Sequence, residues 1–214
     1  MSAAPEAALA RVLHWVDQGP PRVLLALAGL PGSGKSTLAA ALQAQVQALR
    51  GPQAMQVLGM DGFHLTRAQL AARPDAAQAL ARRGAPWTFD PAGLRAGLQA
   101  LRHAQAAVAW PGFDHGQGDP VPAALQVPTH TRVVLVEGLY LLHDAPDWQL
   151  APLFDETWFL DRDWPQAQSQ LCARHMQAWG LSQAAALARI AANDALNAQL
   201  VLADRARADW LVPA

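Results

Sequence analysis

The segment GLPGSGKS, residues 29–36, constrains this chain more than any other feature. It satisfies the pattern glycine, four residues, glycine, lysine, serine. It stands between a nearly continuous apolar run, RVLLALAG at 22–29, and an Ala-, Leu- and Gln-rich stretch at 35–49 with helical spacing. The apolar run suits a strand buried on both faces of a parallel sheet. Such a loop binds phosphate for physical reasons. Gly29, Gly32 and Gly34 let the backbone turn tightly and aim N–H groups at an anion. Leu30, Pro31 and Ser33 complete the loop, and the N-terminus of the following helix adds unpaired donors and a positive dipole end. Lys35 is a flexible point charge with reach to the β- and γ-phosphates. Ser36 is placed to hold Mg2+, and Thr37 to donate to an α-phosphate. An ordinary glycine turn before a helix is the bland alternative, and the conjunction of strand, motif and helix argues against it.

The rest of the chain alternates strands with helices. Leu9, Val12, Leu13 and Val16 make a helical stripe over 6–18, ended by Gly19-Pro20-Pro21. MQVLGM (55–60), RVVLV (132–136), ETWFL (156–160) and DWLVP (209–213) read as further strands. Helices are expected over 67–83, with a break near Arg73-Pro74-Asp75, over 91–106 behind Pro91, over 164–178, and over 182–204 behind the N-cap Ser182. The stretch 109–130, rich in Pro and Gly and without period, reads as a long functional loop with room for a short hairpin. The pattern predicts an α/β fold with a mainly parallel five-stranded sheet.

Composition narrows the function classes. Sixteen Lys plus Arg against seventeen Asp plus Glu leave a formal charge of −1, which argues against a nucleic-acid or membrane-surface partner. Cys172 is the single cysteine, so no intrachain disulfide and no cysteine metal cluster can form. No basic region followed by an apolar run opens the chain, and no stretch is apolar enough to span a membrane. A reducing, cytoplasmic setting is expected.

A phosphate cradle alone does not separate a kinase from a GTPase or a transport ATPase. Carboxylates at strand ends do, because strand C-termini in a parallel sheet open onto the ligand crevice. Asp61, in MDGFH, can accept the proton of an attacking hydroxyl or hold a water on Mg2+; capping a helix is its structural alternative. Glu137 ends the third strand and suits the shell of Mg2+. Asp161 ends the fourth and either joins them or caps the next helix. His64 and Arg67 follow Asp61 and can line an acceptor pocket. Asp90, Asp114, His115 and Asp119 offer hydrogen-bond partners to a polyol or sugar, while Trp87, Phe89 and Phe113 offer flat walls or simply tether loops. Arg174 and Arg189 are candidate forks for a transferring phosphoryl group. Arg189, Asn193 and Asp194 share one helical face.

GLPGSGKST, MDGFH, RRGAPWTFD, PGFDHGQGDPV, VVLVEGLYLL and the ARH…ND…N stretch, taken together, resemble the phosphoribulokinase, uridine kinase and pantothenate kinase superfamily of P-loop kinases, and within it the bacterial nucleoside/nucleotide kinase-like group. The resemblance spans Leu24 to Leu211. It implies a three-layer P-loop fold with strand order 2-3-1-4-5, one domain over 1–214, a substrate-side insertion at about 62–130 and a helical lid at about 162–182. It implies ATP and Mg2+ as cofactors. Asp61 and Lys35 take catalytic positions, Ser36, Glu137 and Asp61 surround the metal, and Arg174 sits in the lid. Trp87, Phe89, Asp90, Phe113, Asp114 and His115 fall on the substrate side. Gln170 departs from the pattern, since relatives often carry an arginine there; Arg162 is a candidate substitute. The expected activity is phosphoryl transfer from ATP to a small hydroxyl-bearing metabolite. A uridine-type nucleoside kinase and a non-catalytic nucleotide-binding regulator are the alternatives. A homodimer is compatible with this kind of kinase. No guanine-reading Asn-Lys-x-Asp box is present.

Overall fold

The computed structural model describes residues 3–114 and 116–214. In chain order, α1 (Ala3–Gln18) precedes β1 (Val23–Gly29), the glycine loop and α2 (Lys35–Arg50). β2 (Met55–Gly59) is followed by α3 (Arg67–Ala71), α4 (Ala76–Ala81) and α5 (Pro91–Arg102). Next come β3 (Val108–Asp114), β4 (Asp119–Val127), β5 (Val133–Glu137) and β6 (Glu156–Asp161). The chain finishes with α6 (Trp164–Trp179), α7 (Gln183–Arg189), α8 (Ala195–Ala203) and β7 (Trp210–Pro213). The main sheet runs β2-β5-β1-β6-β7, every neighbour parallel. Counting only these strands, the order is 2-3-1-4-5, as the resemblance implies.

Strand alternation builds the layers. In β1, Leu24, Ala26 and Ala28 enter one core, with α5 and α8, while Val23, Leu25 and Leu27 enter the other, with α1 and α2. β5 divides likewise, Val134 and Val136 against Val133 and Leu135. A sheet covered on both faces needs apolar side chains at every position, which is why these strands read as unbroken apolar runs.

Several elements differ from the sequence reading. The break expected near Arg73-Pro74-Asp75 is there, since Pro74 has no N–H to donate, and it divides 67–83 into two short helices, α3 and α4. Thr66 opens α3 in a capping box with Gln69. α5 stops at Arg102, short of 106, where the chain turns toward β3. The expected loop at 109–130 is mostly an antiparallel ribbon of β3 and β4. Its register shifts between Trp110 and Gly112, around Pro111. β4 has no period because residues 121–126 are exposed on both faces. The helix expected over 182–204 is interrupted by a π-helical turn, Ile190–Asp194. Asp161 faces Arg205, in two hydrogen bonds of 2.7 and 2.6 Å, and Asp163 rather than Asp161 caps α6.

Candidate active site

The glycine loop leaves β1 at the C-terminal edge of the sheet and enters α2 directly. Gly32 has φ +78° and Gly34 φ +95°, both in the left-handed region that glycine occupies without strain. A Cβ on Gly32 would lie 2.4 Å from the carbonyl oxygen of Ala167, so α6 packs directly on the loop. Lys35 is buried, and its Nζ donates to the Leu30 carbonyl at 2.9 Å. Burial pushes its pKa down, opposed by the carboxylates of Glu137 and Asp61; the cation Arg174 pushes it down further. Those couplings place an amine, two acids and a lid arginine around one space.

Glu137 sits there because β5 ends level with β2, Glu137 pairing with Gly59. Its Oε1 accepts from Ser36 Oγ at 2.9 Å. A hydroxyl and a carboxylate oxygen side by side form a donor pair for a hard cation. Among the described residues, no group of three or more His, Cys, Asp or Glu could hold a metal ion.

Above the loop lies a cavity of about 220 Å³, walled by Gly32, Gly34, Lys35, Ser36 and Thr37 from below and by Gln170 and Arg174 of α6. Gln170 is more than a vacancy in an arginine pattern. With its amide oriented to satisfy both neighbours, it donates to the Gly32 carbonyl at 2.9 Å and accepts from Arg162 at 3.0 Å. Arg162 Nε in turn donates to the Ser33 carbonyl at 2.8 Å. The two residues tie the lid helix to the phosphate loop.

Asp61 lies in a 3-10 turn, Met60–Phe63, just beyond β2. His64 Nδ1 is 2.8 Å from the Asp61 carbonyl oxygen and 4.0 Å from its carboxylate. The His64 ring packs on Phe89, with centroids 3.9 Å apart, and on Phe113 at 4.9 Å. Backbone bonds from Leu65 to Thr88 and from Asp90 to Phe63 bring the GAPWTFD segment against MDGFH. The structure thus joins Asp61, His64, Phe89 and Phe113. Asp90 caps α5, accepting from Gly93 N, and Asp114 accepts from Gly116 and Gln117 N in the ribbon turn. Arg67 offers its backbone N–H to Asp119, which also receives Arg83. His115 lies outside the described residues. Trp87 and Phe89 line a second cavity of about 490 Å³ with His143, Trp148 and Arg82, a wall that sequence reasoning missed because the 143–148 loop carries no motif. Arg189 stacks on Trp179 at 4.4 Å, toward the lid.

A phosphate loop on a parallel sheet, an acid at each of two strand ends and a covering helix with an arginine define a P-loop phosphotransferase site. The chain belongs to the phosphoribulokinase / uridine kinase family, whose model matches residues 24–213. It is 42% identical to the ATP-dependent kinase-like protein notR' of Aspergillus versicolor over 160 residues, 72% of this chain and 93% of that one. It is 37% identical to a Schizosaccharomyces pombe protein provisionally named a uridine kinase, over 84% of this chain and 78% of that one. A crystal structure from Silicibacter sp. TM1040, provisionally described as a fructose transport system kinase, superposes with a TM-score of 0.86 at 38% identity, covering 99% of this chain and 98% of that one. The chain is a P-loop kinase of this family, and the family implies ATP binding. Among the described residues no helix is long and apolar enough to cross a membrane.

Proposed function

We propose that the chain transfers the γ-phosphoryl group of ATP to a hydroxyl of a small metabolite of the sugar, polyol or pantothenate-like class. The observation that carries this reading is Asp61 at the end of β2, coupled electrostatically to Lys35 and flanked by His64. The acceptor oxygen attacks the γ-phosphorus, the bond to the bridging oxygen breaks, ADP leaves, and the acceptor proton passes to the Asp61 carboxylate. Lys35 and Arg174 neutralise charge on the transferring group. Ser36 and Glu137 would hold Mg2+, which supplies charge neutralisation at the β- and γ-oxygens. A sugar acceptor is favoured by the Silicibacter likeness. A nucleoside acceptor is the second reading, favoured by the fission-yeast relative.

A coupled ADP-release assay across sugars, polyols, pantothenate and nucleosides separates these readings. Acceptor-dependent ADP release with a sugar or polyol supports the first, and release with uridine or cytidine alone supports the second. If no acceptor raises turnover, a nucleotide-binding regulator replaces both. Asp61→Asn should keep Mg-ATP affinity and lower phosphoryl transfer by about 100-fold or more. Equal turnover in the variant would remove Asp61 from the chemistry.

A further inference from the structure

Two consecutive peptide units of the phosphate loop are held by side chains from α6 and from the turn before it. The unit joining Gly32 to Ser33 is pinned at both ends. Its carbonyl accepts from the Gln170 amide at 2.9 Å, and its N–H, on Ser33, donates to the Leu30 carbonyl at 3.1 Å. The unit joining Ser33 to Gly34 is pinned at its carbonyl, which accepts from Arg162 Nε at 2.8 Å. Gln170 also accepts from Arg162 Nη1 at 3.0 Å, so each of the two side chains holds the other while holding the loop. Ala167 packs on Gly32 from the same helix, close enough that no Cβ would fit there.

Peptide geometry turns this brace into a statement about the anion site. Among the described residues no peptide bond is cis, so the C=O and N–H of each unit point in opposite directions. Gly34 belongs to the wall of the phosphate cavity and Arg162 does not. A Ser33 carbonyl drawn out toward Arg162 therefore leaves the Gly34 N–H turned inward, to the space a phosphate would fill. With the unit rotated, a carbonyl oxygen would face the anion instead of a donor. Glycine at Gly34 makes that rotation easy, because it occupies φ of either sign. Something outside the loop has to hold the peptide. Resting on the kinase reading above, we propose that Arg162 and Gln170 are positioning residues that fix the Gly34 N–H toward the bound phosphate, so that the lid side of the molecule sets nucleotide affinity before any acceptor arrives. Arg162 acts through the Ser33 carbonyl and touches no phosphate.

The test is a double-mutant cycle on the full chain, read by the affinity of mant-labelled ATP with Mg2+ and no acceptor added. Arg162→Met keeps the apolar stem and removes every donor; Gln170→Ala removes the second half of the brace. Each should weaken binding by about tenfold, the scale of one charge-assisted hydrogen bond. The double variant should lie within about threefold of the weaker single variant, because both break one network. Arg162→Lys, which restores a single donor with the reach to meet the Ser33 carbonyl, should return affinity to within about threefold of the unaltered chain. Inorganic tripolyphosphate, competing against the labelled nucleotide, should lose affinity by the same factor as ATP, since the brace acts on the phosphate loop and not on base or ribose. A general packing defect would not be rescued by Lys. Unchanged affinity in folded Arg162→Met, additive losses in the double variant, a Lys variant no better than Met, or a loss confined to ATP overturns the proposal. Should Arg162→Met fail to fold, Gln170→Ala carries the same measurement, because Gln170 is exposed. With no acceptor present, failure of every acceptor in the kinase assay would strike the functional reading and leave this measurement intact.

Discussion

Gly32 and Gly34 belong to one motif but answer to different constraints. A Cβ on Gly32 would meet Ala167 O at 2.4 Å and Leu171 Cβ at 2.9 Å, whereas one on Gly34 would meet nothing within 4 Å. Both have positive φ. Gly32→Ala should therefore cost more stability than Gly34→Ala, which carries backbone strain alone, roughly 1–3 kcal/mol. Urea unfolding of the two variants checks the order, and equal losses would mean that α6 is free to move off the loop. Legibility at this scale follows chemistry. Lys35, Ser36, Asp61 and Glu137 were readable because each has a fixed offset from a strand end, and backbone geometry carries that offset into space. Gln170 was readable only as a missing arginine. Its bond to Gly32 and its link to Arg162 depend on how α6 lies across the loop, which no local pattern encodes.

Among the elements, the parallel strands were legible, while the ribbon was legible only as room for a short hairpin within a loop. β1 and β5 are covered on both faces and so are apolar throughout, a signal that survives in one dimension. β3 and β4 touch the body chiefly through Trp110 and Val127, so neither shows alternation. Trp110 is fully buried, donates from Nε1 to the Gly59 carbonyl at 3.0 Å and meets Phe63 edge-on at 4.9 Å. This anchor joins the ribbon to the end of β2, next to Asp61. Trp110→Ala should cost roughly 3–5 kcal/mol, the range for truncating a buried aromatic. Denaturant unfolding measures it, and a loss below about 1 kcal/mol would show that the ribbon is held elsewhere. The π-turn was equally hidden: the stretch 182–204 is helical by composition, and the extra residue appears only where Asn193 must reach Arg83.

Across the whole molecule, stability against pH depends on groups shared between elements. His175, buried in α6, has its pKa pushed down to about 4, first by burial and then by the charges of Arg174 and Arg189. The unfolded imidazole titrates near 6.5, so as pH falls the unfolded chain takes up this proton before the folded one does. The stability contributed by neutral His175 is complete above pH 6.5 and is lost as pH falls from there toward 4. Asp194 works in the opposite sense, since burial raises its pKa and its protonation favours the folded state as pH falls. Comparison with a variant isolates the histidine. Tm of the unaltered chain should fall by several degrees more between pH 7 and pH 5 than Tm of His175→Gln. Parallel curves would mean that His175 is solvated. Further down, Asp161 has its pKa lowered, chiefly by its hydrogen bond from Arg205. Stability from that pair is present above the ordinary aspartate range and lost as pH drops through the lowered value.

The sequence by itself determined the phosphate loop, the parallel sheet and the two acids at its edge, because each follows from local spacing and from the burial of whole strands. Tertiary structure decided what surrounds that edge. It turned a presumed loop into a ribbon anchored by Trp110, converted Gln170 from a gap into a brace, gave Trp87 and Phe89 a second cavity, and placed Asp194 3.8 Å from His175. Those placements join residues tens to more than a hundred positions apart. They rest on helix packing and on charges meeting in a partly buried space, for which the chain carries no periodic signal.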